Sequence, residues 1–153
     1  MSTVARLLIV HHSPSPSVQQ IAAAVLRGTQ TEGIEGVEVR QIAALEATAA
    51  DVLAADGYIL GTTANFGYIS GALKHFFDTT FYAVREETAK RPFSYWIHGG
   101  YDTTGAEVAM KSITTGYGWS LAAEPVVFTG AVDEAHLAQA EALGATLAAS
   151  LMP

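Results

Sequence analysis

Five strand signals alternating with helix signals along 153 residues predict a single α/β domain, residues 1–153, of three layers. Its centre is a five-stranded parallel sheet in the order 2-1-3-4-5, with helices on both faces, because parallel strands need crossovers and right-handed crossovers place the helices outside. Two observations carry this expectation. The apolar runs at 6–11 and 57–62 are continuous rather than alternating, as strands buried on both sides must be. Between the runs, apolar residues return every three or four positions. With 50% hydrophobic and 15% charged residues, the chain has the composition of a globular domain with a full core.

The elements follow in order. "RLLIVH" (6–11) is a central strand that stops at "HSPSPS". Val18, Ile21, Ala22, Val25 and Leu26 then form one helical face, ended by Gly28. "VEVRQI" (37–42) alternates like an edge strand, and an Ala-rich helical stretch leads into the buried run "GYILGT" (57–62). In the next helix Ile69, Leu73, Phe76, Phe77 and Phe81 share a wide apolar face. Glu86, Glu87, Lys90 and Arg91 read as a solvated connection to a fourth strand, "PFSYWIHG" (92–99). Thr104 and Glu107 have capping-box spacing at the start of the following helix. "PVVFTG" (125–130) supplies the fifth strand, and Asp133 to Leu151 the last helix.

Composition narrows the function. Without cysteine there is no disulfide scaffold, thiolate metal site or thiol nucleophile, so redox chemistry would fall to a bound cofactor. A net charge of −7 with no basic patch argues against nucleic acid and anionic membranes as partners. No apolar run reaches the ~18 residues of a membrane span, and Met1 to Arg6 lacks a signal-peptide layout, so the expected location is cytoplasmic. His11 and His12 are adjacent on a strand and point to opposite faces, so they cannot chelate one metal, and no metal site is expected.

In the predicted sheet order, the ligand crevice lies outside the carboxyl ends of the first, third and fourth strands. Three unusual loops fall there: "HHSPSPS", "TTANFGY" and "HGGYDTTG". In the first, the hydroxyls of Ser13, Ser15 and Ser17 and the N–H groups up to Val18 stand before a helix, a combination suited to a phosphate monoester. Pro14 and Pro16 each remove an N–H from that cradle, and Ser17 with Gln20 could equally be a capping box. In the second, Thr62, Thr63, Asn65 and Ser70 offer hydrogen bonds to a heterocycle edge. Gly67 allows close backbone approach, and Phe66 and Tyr68 offer aromatic faces, or a core plug and a surface ring. In the third, Gly99 and Gly100 free the backbone to bend, with Tyr101 as a second ring. His98 at this rim is a candidate ligand-orienting group or proton donor, with structural hydrogen bonding as its plainer role.

"GTTANFGYISGALKHFFD" (61–78) resembles the G-T-x-x-x-F-G-x-x-S-G-x-x-K-x-F-x-D block of flavodoxin-like FMN-binding proteins, with Gly61, Thr62, Phe66, Gly67, Ser70, Gly71, Lys74, Phe76 and Asp78 in place. The likeness is to NAD(P)H:quinone reductases of the tryptophan-repressor-binding-protein type and to small actinobacterial flavodoxin family proteins. That resemblance implies a flavodoxin-like fold. It also implies FMN held at its phosphate by Ser13, Ser15, Ser17 and Val18, and at its ring by Thr62, Thr63, Ala64, Asn65, Phe66, Gly67 and Tyr68 with His98, Gly99, Gly100, Tyr101 and Asp102. The implied activity is oxidoreduction: NADH or NADPH as transient reductant, a quinone or similar small molecule as acceptor, and the flavin rather than a side chain carrying the chemistry. An electron carrier serving a redox protein partner, and a binding protein that has kept the fold but lost FMN, are the alternatives. A homo-oligomer is left open.

Overall fold

The computed structural model describes residues 3–153. In chain order its elements are β1 (Ala5–His11), α1 (Pro16–Thr29), β2 (Val37–Ala43), α2 (Ala49–Ala54), β3 (Gly57–Asn65), β4 (Tyr68–Ile69), α3 (Gly71–Val84), β5 (Pro92–Gly99), α4 (Thr104–Tyr117), β6 (Ser120–Leu121), β7 (Val126–Thr129) and α5 (Glu134–Ser150). The parallel sheet runs β2-β1-β3-β5, and β6 and β7 both pair with β5 in the outermost position. The expected strand order therefore holds, with the last position divided between two short segments. The divide falls at residues 122–125, where Pro125 has no N–H to give to a ladder.

Alternation along the strands builds two cores. Leu7, Ile9, Ile59, Trp96 and Phe128 face α1 and α5, while Leu8, Val10, Tyr58, Leu60, Phe93 and Ile97 face α2, α3 and α4. The first core is closed by backbone contact between its two helices. Gly28 does not end α1, which runs on to Thr29. It lies where any Cβ would come within 1.9 Å of the Glu141 carbonyl oxygen, and Gly144 of α5 is set in the same way, 2.0 Å from the Val25 carbonyl. Arg27 Nε closes the seam on Glu141 Oε1 at 2.8 Å.

Several local expectations shift by a residue or more. The cap of α1 is Ser15, whose Oγ accepts from the Val18 N–H, not a Ser17–Gln20 box. At α4 no capping box forms between Thr104 and Glu107. Asp102 Oδ1 accepts from the Thr104 N–H at 3.0 Å, and Thr103 Oγ1 donates to Glu107 Oε2 at 2.9 Å. Arg91 is not simply solvated: its Nη1 donates to the Leu53 and Ala55 carbonyls at 3.0 and 2.7 Å, satisfying acceptors at the end of α2 that the helix leaves free.

On the α3–α4 side, Tyr117 is buried with its hydroxyl donating to the Phe77 carbonyl at 2.5 Å and meeting Thr80 Oγ1 at 2.8 Å. Burial pushes this phenol up to about 12, opposed by the Thr80 hydrogen bond and aided by Asp78. A raised folded-state value contributes stability in full below the unfolded value of about 10, and that contribution is lost as pH rises toward the folded one. Denaturant midpoints measured between pH 9 and 12 should therefore fall with a shallower slope in Tyr117→Phe than in the parent chain.

Candidate functional site

The three loops meet at one edge of the sheet. The His12 N–H donates to the Gly61 carbonyl at 3.0 Å, tying the first loop to β3. An added Cβ at Gly99 would stand 3.2 Å from Ala64 Cβ, so the third loop lies against the second. The expected run "GYILGT" is three residues longer, because β3 continues to Asn65 and folds back as a hairpin with β4, pairing Asn65 with Tyr68. The two residues of its tip, Phe66 and Gly67, have φ of +50° and +75°, the double left-handed pattern of a tight two-residue hairpin turn. Glycine adopts this freely; phenylalanine does so at a cost of about 1 kcal/mol or more. The return for that strain is position, since Phe66 stands fully exposed at the rim. Gly105, in the first turn of α4, supports the tip so closely that an added Cβ would come within 1.8 Å of the Gly67 carbonyl oxygen.

Each expected site residue has a definite place. Ser13 and Ser15 are half-buried in the first loop, Ser17 is exposed on the first turn of α1, and the Val18 side chain is in the core, leaving only its N–H, which reaches Ser15 Oγ at 3.4 Å. Thr62 is fully buried and its hydroxyl is engaged twice, donating to the Thr63 carbonyl at 2.9 Å and accepting from the Ser70 N–H at 3.0 Å. It shapes the hairpin rather than presenting a free hydroxyl. Thr63 is the opposite case: 8% exposed, with an Oγ1 that has no partner. A buried hydroxyl without a partner costs about 1–3 kcal/mol, so this one fits a site whose ligand completes it. Ala64, Asn65, Gly67 and Tyr68 line the hairpin, and Gly100, Tyr101 and Asp102 form the exposed opposite lip, with Tyr101 89% exposed. Hydrogen bonding at Thr104 lowers the Asp102 carboxyl below its ordinary value.

His98 has a structural partner: its Nε2 meets the Gly130 carbonyl at 2.7 Å and must be the donor, which pins the ends of β5 and β7 together. Two residues not assigned to the site from the sequence lie directly beside these loops. His11 closes β1 on the same phase as Leu7 and Ile9, facing α1, and its Nδ1 lies 2.8 Å from Ser13 Oγ. Trp96 passes beneath Gly61 so tightly that a Cβ there would be 2.1 Å from the indole, and its ring centroid lies 6.0 Å from that of His11. The alternation of β1 was the available signal for His11; nothing in the sequence marks Trp96 or the supporting role of Gly105. A partly open concavity of about 210 Å³ lies elsewhere, among Arg6, Glu38, Arg40 and Asp51, where two ion pairs balance each other's charge.

The model of the NADPH-dependent FMN reductase family matches residues 6–136. A flavodoxin of Aquifex aeolicus is 33% identical over 111 residues, 72% of this chain and 58% of the relative. A probable NAD(P)H dehydrogenase (quinone) of Arabidopsis thaliana is 30% identical over 105 residues, 65% of this chain and 38% of the relative, so the match spans about half of these relatives' lengths or less. Among solved structures, a flavodoxin from the domain Archaea superposes with a TM-score of 0.81 at 16% identity, covering 95% of this chain and 98% of that one, a likeness of fold. With the three loops gathered at the predicted edge, and the family's match running through all of them, the chain belongs to the flavodoxin-like NADPH-dependent FMN reductase family.

Proposed function

We propose that this chain is an FMN-dependent NAD(P)H oxidoreductase that passes electrons to a quinone or similar small acceptor. The observation that carries the reading is the unpartnered, buried Thr63 hydroxyl at the sheet edge where the exposed rings of Phe66 and Tyr101 stand on the adjoining loops. Ser13, Ser15 and Ser17, with the Ser17 N–H in the first turn of α1, would take the phosphate, and the Val18 N–H would join them on leaving Ser15 Oγ. The backbone from Thr63 to Tyr68 and from Gly99 to Asp102 would hold the ring. When bound, FMN supplies hydride acceptance and electron transfer, and the protein supplies orientation and electrostatics. No dinucleotide-binding glycine pattern follows β1, so a nicotinamide would dock transiently over the open ring face. The net charge of −7 disfavours extra negative charge on the flavin, within the ~8 Å reach that physiological salt allows.

The test is an absorbance spectrum after incubation with FMN and gel filtration, followed by anaerobic NADPH. Flavin bands that co-elute and bleach with NADPH support the reductase. Bands that co-elute, resist NADPH and titrate in two separated one-electron steps support an electron carrier, the reading favoured by the Aquifex aeolicus flavodoxin among the relatives. Absence of retained FMN at micromolar concentration rejects both. A sharper prediction concerns Thr63→Val, which removes the orphan hydroxyl. Chemical denaturation should show the ligand-free chain unchanged or up to about 1 kcal/mol more stable, while fluorescence titration should show FMN binding about tenfold weaker.

A further inference from the structure

The first loop is short of the groups that a phosphate needs. It has no Lys or Arg, and Pro14 and Pro16 remove two N–H donors. What lies beneath is a histidine. His11 is half-buried, its ring tilted beside Trp96, with Nδ1 2.8 Å from Ser13 Oγ. The same sheet face carries two buried polar atoms without partners, Thr63 Oγ1 and Trp96 Nε1. The His11–Ser13 hydrogen bond can run either way. If Nδ1 accepts, the Ser13 proton is turned inward and the loop meets an anion with lone pairs; if Nδ1 donates, the Ser13 proton is free to point at the anion.

Resting on the FMN reading above, we propose that His11 is the positioning residue of the phosphate cradle: it donates Nδ1–H to Ser13 Oγ, so that Ser13 donates to the FMN phosphate. By taking one proton from solvent as FMN binds, it also supplies the cation that the loop lacks. In the ligand-free chain, burial and then the charge of His12 hold the His11 imidazolium below its ordinary range, so the ring is neutral near pH 7.5. Among the described residues no carboxylate forms an ion pair with the ring. β3 carries no charged side chain from Gly57 to Asn65, and α1 carries none before Arg27. β2 ends opposite at Ala43, with Glu46 in the turn beyond; β5 brings His98, and α5 opens with Asp133, Glu134 and His136. An incoming phosphate is then the group that raises the His11 affinity for a proton.

The sign follows from linkage: a ring whose proton affinity rises on binding makes binding tighter as pH falls. FMN affinity, read by quenching of flavin fluorescence, should improve about tenfold from pH 8.5 to 6.5, above the phosphate's own second ionisation near 6. Riboflavin, which lacks the phosphate, should bind with no such slope. His11→Asn places an amide N–H where Nδ1 stands, and should keep FMN binding while flattening the slope. His11→Phe removes the donor and should bring FMN close to riboflavin in affinity. Calorimetry at pH 7.5 in two buffers of different ionisation heat should show proton uptake with FMN for the parent chain, and none for riboflavin or for His11→Asn. Equal slopes and equal uptake in parent and His11→Asn would overturn the role of His11 and leave the FMN reading intact. Failure of the parent chain to bind either flavin would overturn both.

Discussion

Gly105→Ala should weaken FMN binding about a hundredfold while leaving the melting temperature within a few degrees of the parent. The added methyl would lie 1.8 Å from the Gly67 carbonyl oxygen, a backbone atom that can move only with the hairpin tip. Relief therefore requires Phe66 and Gly67 to shift by more than an ångström. A displacement of that size in a positioning element costs on the order of 10²-fold. Global stability moves little because the exposed tip has no core to disturb, and alanine adds up to about 1 kcal/mol of helix propensity at the start of α4. Gly67→Ala makes a useful contrast: its Cβ has open space, but its φ of +75° opposes a side chain, so the strain is in the turn alone. Fluorescence titration with FMN, paired with thermal unfolding, separates the two effects.

Gly144→Ala should rank with Gly28→Ala among the most damaging single methyls for the fold. Its Cβ would stand 2.0 Å from the Val25 carbonyl oxygen and 3.2 Å from the Thr29 nitrogen, so α1 and α5 would have to move apart along the seam that also holds Gly28. Overpacking against rigid backbone costs about 3 kcal/mol, and the propensity gain of about 1 kcal/mol offsets only part of it. At this chain length the net loss lowers the melting temperature by about 5–10 °C. Gly116→Ala in α4 meets nothing within 4 Å and should instead raise it slightly. Calorimetric scans of the two variants beside the parent chain give the comparison.

Both glycines show where sequence reading reaches and where it stops. Strand order was legible because β1 and β3 are buried on both faces and say so in unbroken apolar runs. Helix faces were legible from spacing, as in Val18, Ile21 and Val25 of α1. Gly28 read as a helix stop, because glycine's conformational freedom and its small size look alike in a sequence; only the approach of Glu141 tells them apart. The hairpin tip was obscured by Phe66, a residue that rarely adopts positive φ, and the break before β7 by a single proline in an apolar run. At the site, the three loops were singled out in the sequence, but the way their hydroxyls are engaged was not. Thr62 and Thr63 are neighbours of one type, yet one hydroxyl is engaged twice and the other has no partner. His11 was weighed with His12 as a metal pair and set aside, while its contact with Ser13 depends on the α1 face it shares with Trp96.

The seam between α1 and α5 also bears on how the chain is born. Arg27 and Glu141 are 114 residues apart, and the core beneath them draws on β1, β3, β5 and β7 as well. During synthesis α1 emerges early, with Ile21, Ala22 and Val25 exposed and no partner helix yet made. The opposite core can form sooner, since α2, α3 and α4 leave the ribosome before α5. Until α5 is made, the sheet face that carries Leu7, Ile9 and Trp96 lacks one of the two helices that cover it. Completion waits on a helix whose glycine must slide flush against the backbone of the first.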